Sequence, residues 1–173
     1  CCAGSRLLLH ESISSKVEKK ILSRMKKLRF GNPLDKSIDM GPLISLEQLN
    51  IVKRLVQSGL EGGADIYQCD MPPLLKGYFY PPTLLKNVSP SMEIFQKEIF
   101  GPVLSSTTFR TPEEAVALAN NSRYGLSASI WSENINLALD ISPKLKVGVV
   151  WINSTNVFDA AVGFGGYRES GYG

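Results

Sequence analysis

Two adjacent thiols lead the chain. The run Cys1-Cys2-Ala3-Gly4-Ser5-Arg6 sets them before a small-residue turn, and the apolar stretch Leu7-Leu8-Leu9 follows. A cysteine at a turn, with free backbone N–H groups around it, has a route to a lowered pKa and a ready site for a developing oxyanion. The chemistry this suits is nucleophilic attack. The other reading is a small buried hydrophobe, which is what free cysteines usually are. Both stay open on these residues alone.

Other reactive constellations are sparse. His10 is the sole histidine and no C-x-x-C spacing occurs, so no metal site is expected. His10 closes an apolar run and reads as a structural or surface residue. It lies too close to Cys1 along one extended segment to fold back as a triad base. Gly163-Phe164-Gly165-Gly166 lacks the spacing of a dinucleotide-binding loop and does not open a helix. Cys69 has no histidine nearby and reads as an incidental thiol. Glu98 is the carboxylate to single out. It stands beside an apolar turn and before a strand, where it could grip sugar hydroxyls, or simply be a surface glutamate.

The elements that must position these groups follow from periodicity. Arg6–His10 reads as a strand. A helix over Ser12–Phe30 follows, with Ile13, Val17, Ile21, Met25 and Leu28 as its apolar stripe. Ser15 and Glu18 have capping-box spacing if that helix starts late, and its lysine-rich opposite face reads as a solvated surface. A second helix over Leu46–Leu60 has Ser45 as N-cap and Gln48 three residues on. Ala64–Tyr67 reads as a strand. Gly77–Leu85 is β-prone, but Pro81 and Pro82 argue against a central strand there. Met92–Gln96 reads as one helical turn, and Val103–Phe109 as a strand. Thr111, Pro112 and Glu114 mark the clearest helix start. Leu126–Trp131 then reads as a strand, Ser132 as the cap of a helix to Leu145, and Val149–Asn153 as a strand. Strand, helix, strand, helix, strand with short connections implies a mostly parallel sheet with helical crossovers, an α/β fold. Ligand sites in such folds lie beyond the carboxyl ends of strands, where Asn153 and its following loop fall.

Composition narrows the class. The chain has 173 residues and 43% apolar content, enough for a sizeable core. A net charge of +3 is too small to imply nucleic acid. No apolar run reaches the roughly eighteen residues of a transmembrane span. Three cysteines are too few for a disulfide scaffold, so a reducing, cytoplasmic compartment is expected. The chain starts without methionine and stops within a glycine-rich phrase, which reads as a piece of a longer polypeptide.

A series of phrases, in order, then resembles the aldehyde dehydrogenase superfamily from Cys1 to Gly173. They are Cys1-Cys2-Ala3-Gly4-Ser5-Arg6, Gly31-Asn32-Pro33, Gly41-Pro42, Lys97-Glu98-Ile99-Phe100-Gly101-Pro102-Val103, Ala119-Asn120-Asn121, Tyr124-Gly125-Leu126, Trp151-Ile152-Asn153 and Phe164-Gly165-Gly166-Tyr167-Arg168-Glu169-Ser170-Gly171. Each is weak singly; their order is specific. Phe79–Leu84 and Ser129–Glu133 look closest to the family 16 branch.

The resemblance implies that residues 1–173 are a C-terminal, partial catalytic domain whose cofactor-binding domain lies upstream and is absent. It implies that Cys1 is the nucleophile of an NAD(P)-dependent aldehyde oxidation through a thiohemiacetal and a thioester. Glu98 would hold the nicotinamide ribose and Phe100 would pack beside the ring. Cys2, Asn156, Phe158 and Phe164 would border the substrate, and Asn153 would order the loops. NAD is the implied cofactor, with NADP as the alternative, and the partners are a small-molecule aldehyde and, for the parent protein, further copies of itself. The isolated piece is expected to be inactive. Two other classes stay open: a non-catalytic scaffold with the dehydrogenase shape, and an N-terminal-nucleophile amidohydrolase using the amine of Cys1.

Overall fold

A computed structural model describes residues 3–72 and 76–173. Cys1 and Cys2, the expected nucleophile and its neighbour, lie outside the described residues. The chain divides into two compact units, Ser5–Thr108 and Phe109–Gly173, the latter joined by Ala3 and Gly4.

In the first unit β1 (Arg6–His10) leads straight into α1 (Glu11–Met25). The capping box at Ser15 does not form, because His10 itself caps: its Nδ1 accepts the Ser12 N–H at 3.3 Å. The helix also stops short of the expected Phe30. The backbone N–H of Arg29 donates to Asp39 Oδ2 at 2.9 Å, and the Arg29 guanidinium binds the same carboxylate. A partner ten residues ahead in the chain thus takes a donor that a longer helix would use. None of the expected apolar stripe of α1 is fully buried, and Ile13 is 48% exposed.

The next helix, α2 (Leu46–Glu61), starts where its cap dictates, with Ser45 Oγ accepting the Gln48 N–H at 3.1 Å. Leu49, Val52, Leu55 and Val56 recur at helical spacing and are buried. They form the core with Leu84 and Leu85 of β3 (Thr83–Lys86), Ile94 and Phe95 of the single-turn α3 (Glu93–Gln96), Val88 and Ile99. Each such burial contributes roughly 1.5–3 kcal/mol relative to exposure.

A four-stranded sheet runs in the order β1-β4-β3-β2, with β2 at Asp65–Gln68 and β4 at Val103–Phe109. Strands β3 and β4 are parallel, Thr83 opposite Val103, and β2 pairs antiparallel with β3, Asp65 opposite Lys86. The prolines therefore misled: β3 is an inner strand and fully buried over Thr83–Leu85. Pro81 and Pro82 stand just before it, so the ladder loses no donor, and the Thr83 N–H reaches Pro102 O at 2.9 Å. Ser105, Ser106 and Thr107 of β4 are buried but paired. Ser105 donates through N–H and Oγ to Ser5 O, Ser106 Oγ to Glu18 Oε1, and Thr107 Oγ1 to Val88 O.

In the second unit α4 (Pro112–Asn120) begins as its sequence demands, Thr111 Oγ1 accepting the Glu114 N–H. Strands β5 (Ser127–Ile130) and β6 (Val149–Ile152) are parallel neighbours joined by α5 (Ile135–Ile141) and a 3₁₀ turn, Ser142–Lys144. The cap of α5 is Asn134, not Ser132, and within α5 only Ala138 is fully buried. The architecture is thus α/β with mixed, mostly parallel twisted sheets and helical crossovers. It differs from the single expected sheet, because β4 belongs to the four-stranded sheet while β5 and β6 form a sheet of their own.

Candidate active-site segments

The turn between α3 and β4 carries Glu98 and Phe100. Ile99 points inward and is 2% exposed, while Glu98 and Phe100 are exposed to either side of it, Phe100 by 62%. Phe100 has φ +52°, a left-handed conformation unfavourable for a residue with a Cβ. Gly101 follows because nothing larger fits. A Cβ there would lie 2.7 Å from Val52 Cγ2, and Val52 is wholly buried on α2. The side-chain amide of Gln48 fastens the turn, Nε2 donating to Ile99 O at 2.9 Å and to Phe100 O at 3.2 Å. The result is an exposed carboxylate and an exposed ring on a backbone fixed from beneath, a geometry able to accept from vicinal hydroxyls and flank a flat ring. Sequence reasoning gave Gln48 only a capping role; its side chain instead reaches a turn some fifty residues away, for which no local signal exists.

The loop after β6 carries Asn153, Asn156, Phe158 and Phe164. Asn153 has φ +52° and binds Ser132 on both sides, Oδ1 accepting the Ser132 N–H and Nδ2 donating to Ser132 O, each at 2.9 Å. Its own N–H continues the β5–β6 ladder to Ile130 O at 2.8 Å. Asn156 is exposed, also left-handed at φ +54°. Phe158 and Phe164 meet edge to face at 5.4 Å between centroids, and Trp151 stacks edge-on against Phe158 at 5.5 Å. The Trp151 indole donates to Val157 O at 2.8 Å, so the buried end of β6 anchors an otherwise exposed aromatic loop. Trp151 was missed as a member of this cluster.

The glycine-rich end folds back on the loop after α4. Arg168 Nη1 donates to Asn120 O and Ser122 O, Gly125 N–H to Ser170 Oγ, and Arg123 pairs with Glu169 at 2.8 Å. The glycines permit close backbone approach: a Cβ on Gly148 would overlap the carbonyl of Gly165, and one on Gly166 would lie 3.0 Å from Gly125 O. Burial first, and Asp70 second, push the Cys69 thiol up, away from the thiolate form. Among the described residues no group of His, Cys, Asp and Glu forms a metal cluster, and no helix is long and apolar enough to cross a membrane.

The chain matches the aldehyde dehydrogenase family over residues 1–173. It is 42% identical, over its full length and 32% of the relative's, to the mitochondrial aldehyde dehydrogenase family 2 member B4 of Arabidopsis thaliana. It is 38% identical to betaine aldehyde dehydrogenase of Bacillus subtilis (strain 168), covering all of this chain and 36% of that protein. A crystal structure of a point mutant of betaine aldehyde dehydrogenase from Staphylococcus aureus, in complex with NAD+ and with a BME-modified cysteine, superposes with a TM-score of 0.95 at 40% identity. That match covers 100% of this chain and 36% of the other. The chain thus spans about a third of the length of the relatives it matches.

These relatives correct the narrower expectation. The likeness is to family 2 and betaine aldehyde dehydrogenases, with nothing particular to the family 16 branch. The two phrases that suggested that branch lie at the entry to β3 and the end of β5, positions that serve the fold itself. Nor does the assignment to a C-terminal catalytic portion stand, since the matches cover only about a third of the relatives and support the superfamily alone. On that full-length match, this chain belongs to the aldehyde dehydrogenase family.

Proposed function

We propose that the protein carrying this chain is an NAD-dependent aldehyde dehydrogenase that oxidises a small-molecule aldehyde to a carboxylic acid, with Cys1 as its nucleophile. The observation that carries this reading is the exposed Glu98–Phe100 turn, rigidly held, in a chain that matches the family end to end. The relative solved with NAD+ and a modified cysteine supports both the cofactor and a reactive thiol.

The thiolate of Cys1 adds to the aldehyde carbon, and the backbone N–H of Cys1 donates to the oxyanion of the resulting thiohemiacetal. NAD, when bound, supplies the hydride acceptor. Glu98 accepts from the hydroxyls of the nicotinamide ribose, and Phe100 flanks the ring. Cys2, Asn156, Phe158 and Phe164 border the substrate, the two phenylalanines with Trp151 giving it an apolar wall. Asn153 orders the loop that carries them. The thioester left on Cys1 is hydrolysed with a base from elsewhere in the protein, so the isolated 173 residues sustain no turnover. A homo-oligomer in the cytoplasm completes the reading; sparse cysteines and the half-exposed stripe of α1 support it. The parallel β3–β4 and β5–β6 pairs speak against the amidohydrolase alternative.

The test is replacement of Cys1 by serine or alanine in the full-length protein. Loss of aldehyde turnover, together with loss of fast iodoacetamide labelling near neutral pH, is expected. Turnover equal to that of the unsubstituted protein overturns the mechanism.

A further inference from the structure

We propose that Ser105 is a positioning residue for the nucleophile: its buried hydroxyl holds the carbonyl of Ser5, from which the chain runs to Cys1. The inference rests on the reading of Cys1 given above.

A serine inside a sheet needs a reason. Strand β4 lies between β1 and β3, and Ser105 is 2% exposed, opposite the wholly buried Leu85. A β-branched apolar residue suits such a position better, and a buried hydroxyl is costly unless it is hydrogen-bonded. This hydroxyl serves one atom. Ser105 Oγ donates to Ser5 O at 3.1 Å, and the Ser105 N–H donates to the same oxygen at 3.0 Å. A ladder carbonyl ordinarily receives one donor. With two, both lone pairs of Ser5 O are engaged and its direction is fixed.

Ser5 stands four residues from Cys1. Ala3 and Gly4 between them are exposed, so the chain takes its heading toward Cys1 from Ser5 rather than from buried packing. The next two residues of β4 use their hydroxyls elsewhere. Ser106 Oγ reaches Glu18 Oε1 on α1, and Thr107 Oγ1 reaches Val88 O at 2.7 Å, in the chain after β3. Thr107 shares a strand face with Ser105 and is also buried, at 8% exposure. It is the matched control: a buried hydroxyl with a carbonyl partner remote in sequence from Cys1. The strand itself does not need the Ser105 hydroxyl, because the N–H bond to Ser5 O survives its removal.

The experiment uses the full-length protein and the variants Ser105→Ala, Ser105→Thr, Thr107→Val and Cys1→Ala. It measures the iodoacetamide alkylation rate of Cys1 near neutral pH by peptide mass spectrometry, kcat, the KM values for NAD and aldehyde, and urea unfolding. Ser105→Ala is expected to slow both Cys1 alkylation and kcat about fivefold, the loss of one hydrogen bond, with both KM values unchanged. Ser105→Thr keeps a hydroxyl and is expected to restore both rates. Thr107→Val is expected to lose comparable stability while keeping the alkylation rate and kcat of the unsubstituted protein.

Equal slowing in Ser105→Ala and Thr107→Val overturns the proposal, since it means that any loosening of β4 has the same effect. So does a Ser105→Thr variant that is as stable as the unsubstituted protein yet stays slow. Unchanged alkylation and kcat in Ser105→Ala, with Cys1→Ala inactive, also overturns it but leaves the nucleophile reading standing. Full turnover in Cys1→Ala instead overturns the nucleophile reading itself.

Discussion

Removing the side chain of Asn153 should open the turn after β5 while leaving the sheets in place. Its amide makes two hydrogen bonds to the backbone of Ser132, both 2.9 Å. Each is worth about 0.5–1.5 kcal/mol net, and both groups reach solvent, so the pair contributes roughly 1–2 kcal/mol. Asn153 also sits at φ +52°. Alanine there adds about 1 kcal/mol of left-handed strain that asparagine tolerates better and glycine avoids. Asn153→Ala is thus worked out at about 2–3 kcal/mol and Asn153→Gly at about 1–2 kcal/mol, the difference isolating the backbone from the clamp.

Native-state hydrogen exchange of the full-length protein reads the clamp directly. Among the described residues the Ser132 amide donates to Asn153 alone, so its exchange should accelerate about tenfold in both variants, 1.4 kcal/mol being one decade. Amides within β5 and β6 should change less. Equal exchange at Ser132 with and without the asparagine side chain would refute the clamp. Equal losses of global stability in the alanine and glycine variants, measured by urea unfolding, would refute the backbone share.

Two further outcomes follow from the same geometry. A Cβ on Gly148 would overlap the carbonyl of Gly165, backbone that no rotamer change can clear. Gly148→Ala should therefore displace the glycine-rich end and cut the yield of folded protein, checked by limited proteolysis at residues 160–173. Asp39 is held at about 2, first by its hydrogen bonds from the Arg29 side chain and backbone and then by that charge. Its folded value lies below the unfolded one, near 3.9, so its stabilisation is complete above about pH 4. It disappears as pH falls through 2. The connection between α1 and α2 should loosen over that window, read by hydrogen exchange at Arg29, and Asp39→Asn should abolish the pH dependence.

How much was legible differs from element to element. Thr111-Pro112 with Glu114 announced α4, and Ser45 announced α2, because a cap and its first turn are satisfied by neighbours in sequence. The end of α1 was not legible. Arg29 is a good helix former, and only the Asp39 carboxylate, brought back by the intervening turns, takes its N–H. The start of α5 slid from Ser132 to Asn134 for the same kind of reason, since Asn153 claims both backbone groups of Ser132. Pro81 and Pro82 suggested an edge, yet β3 begins one residue later and lies inside the sheet.

The site divides along the same line. By itself the sequence determined the alternating α/β pattern, the caps of α2 and α4 and the motif order that marks the family, all of them carried by residue type at short spacing. Only the tertiary structure decided that β4 pairs away from β5 and β6, that Trp151 closes on Phe158, and that Gln48 reaches the Ile99–Phe100 turn. The physical reason is loop closure: contacts between residues far apart in sequence depend on how the intervening chain packs, and no local periodicity encodes them.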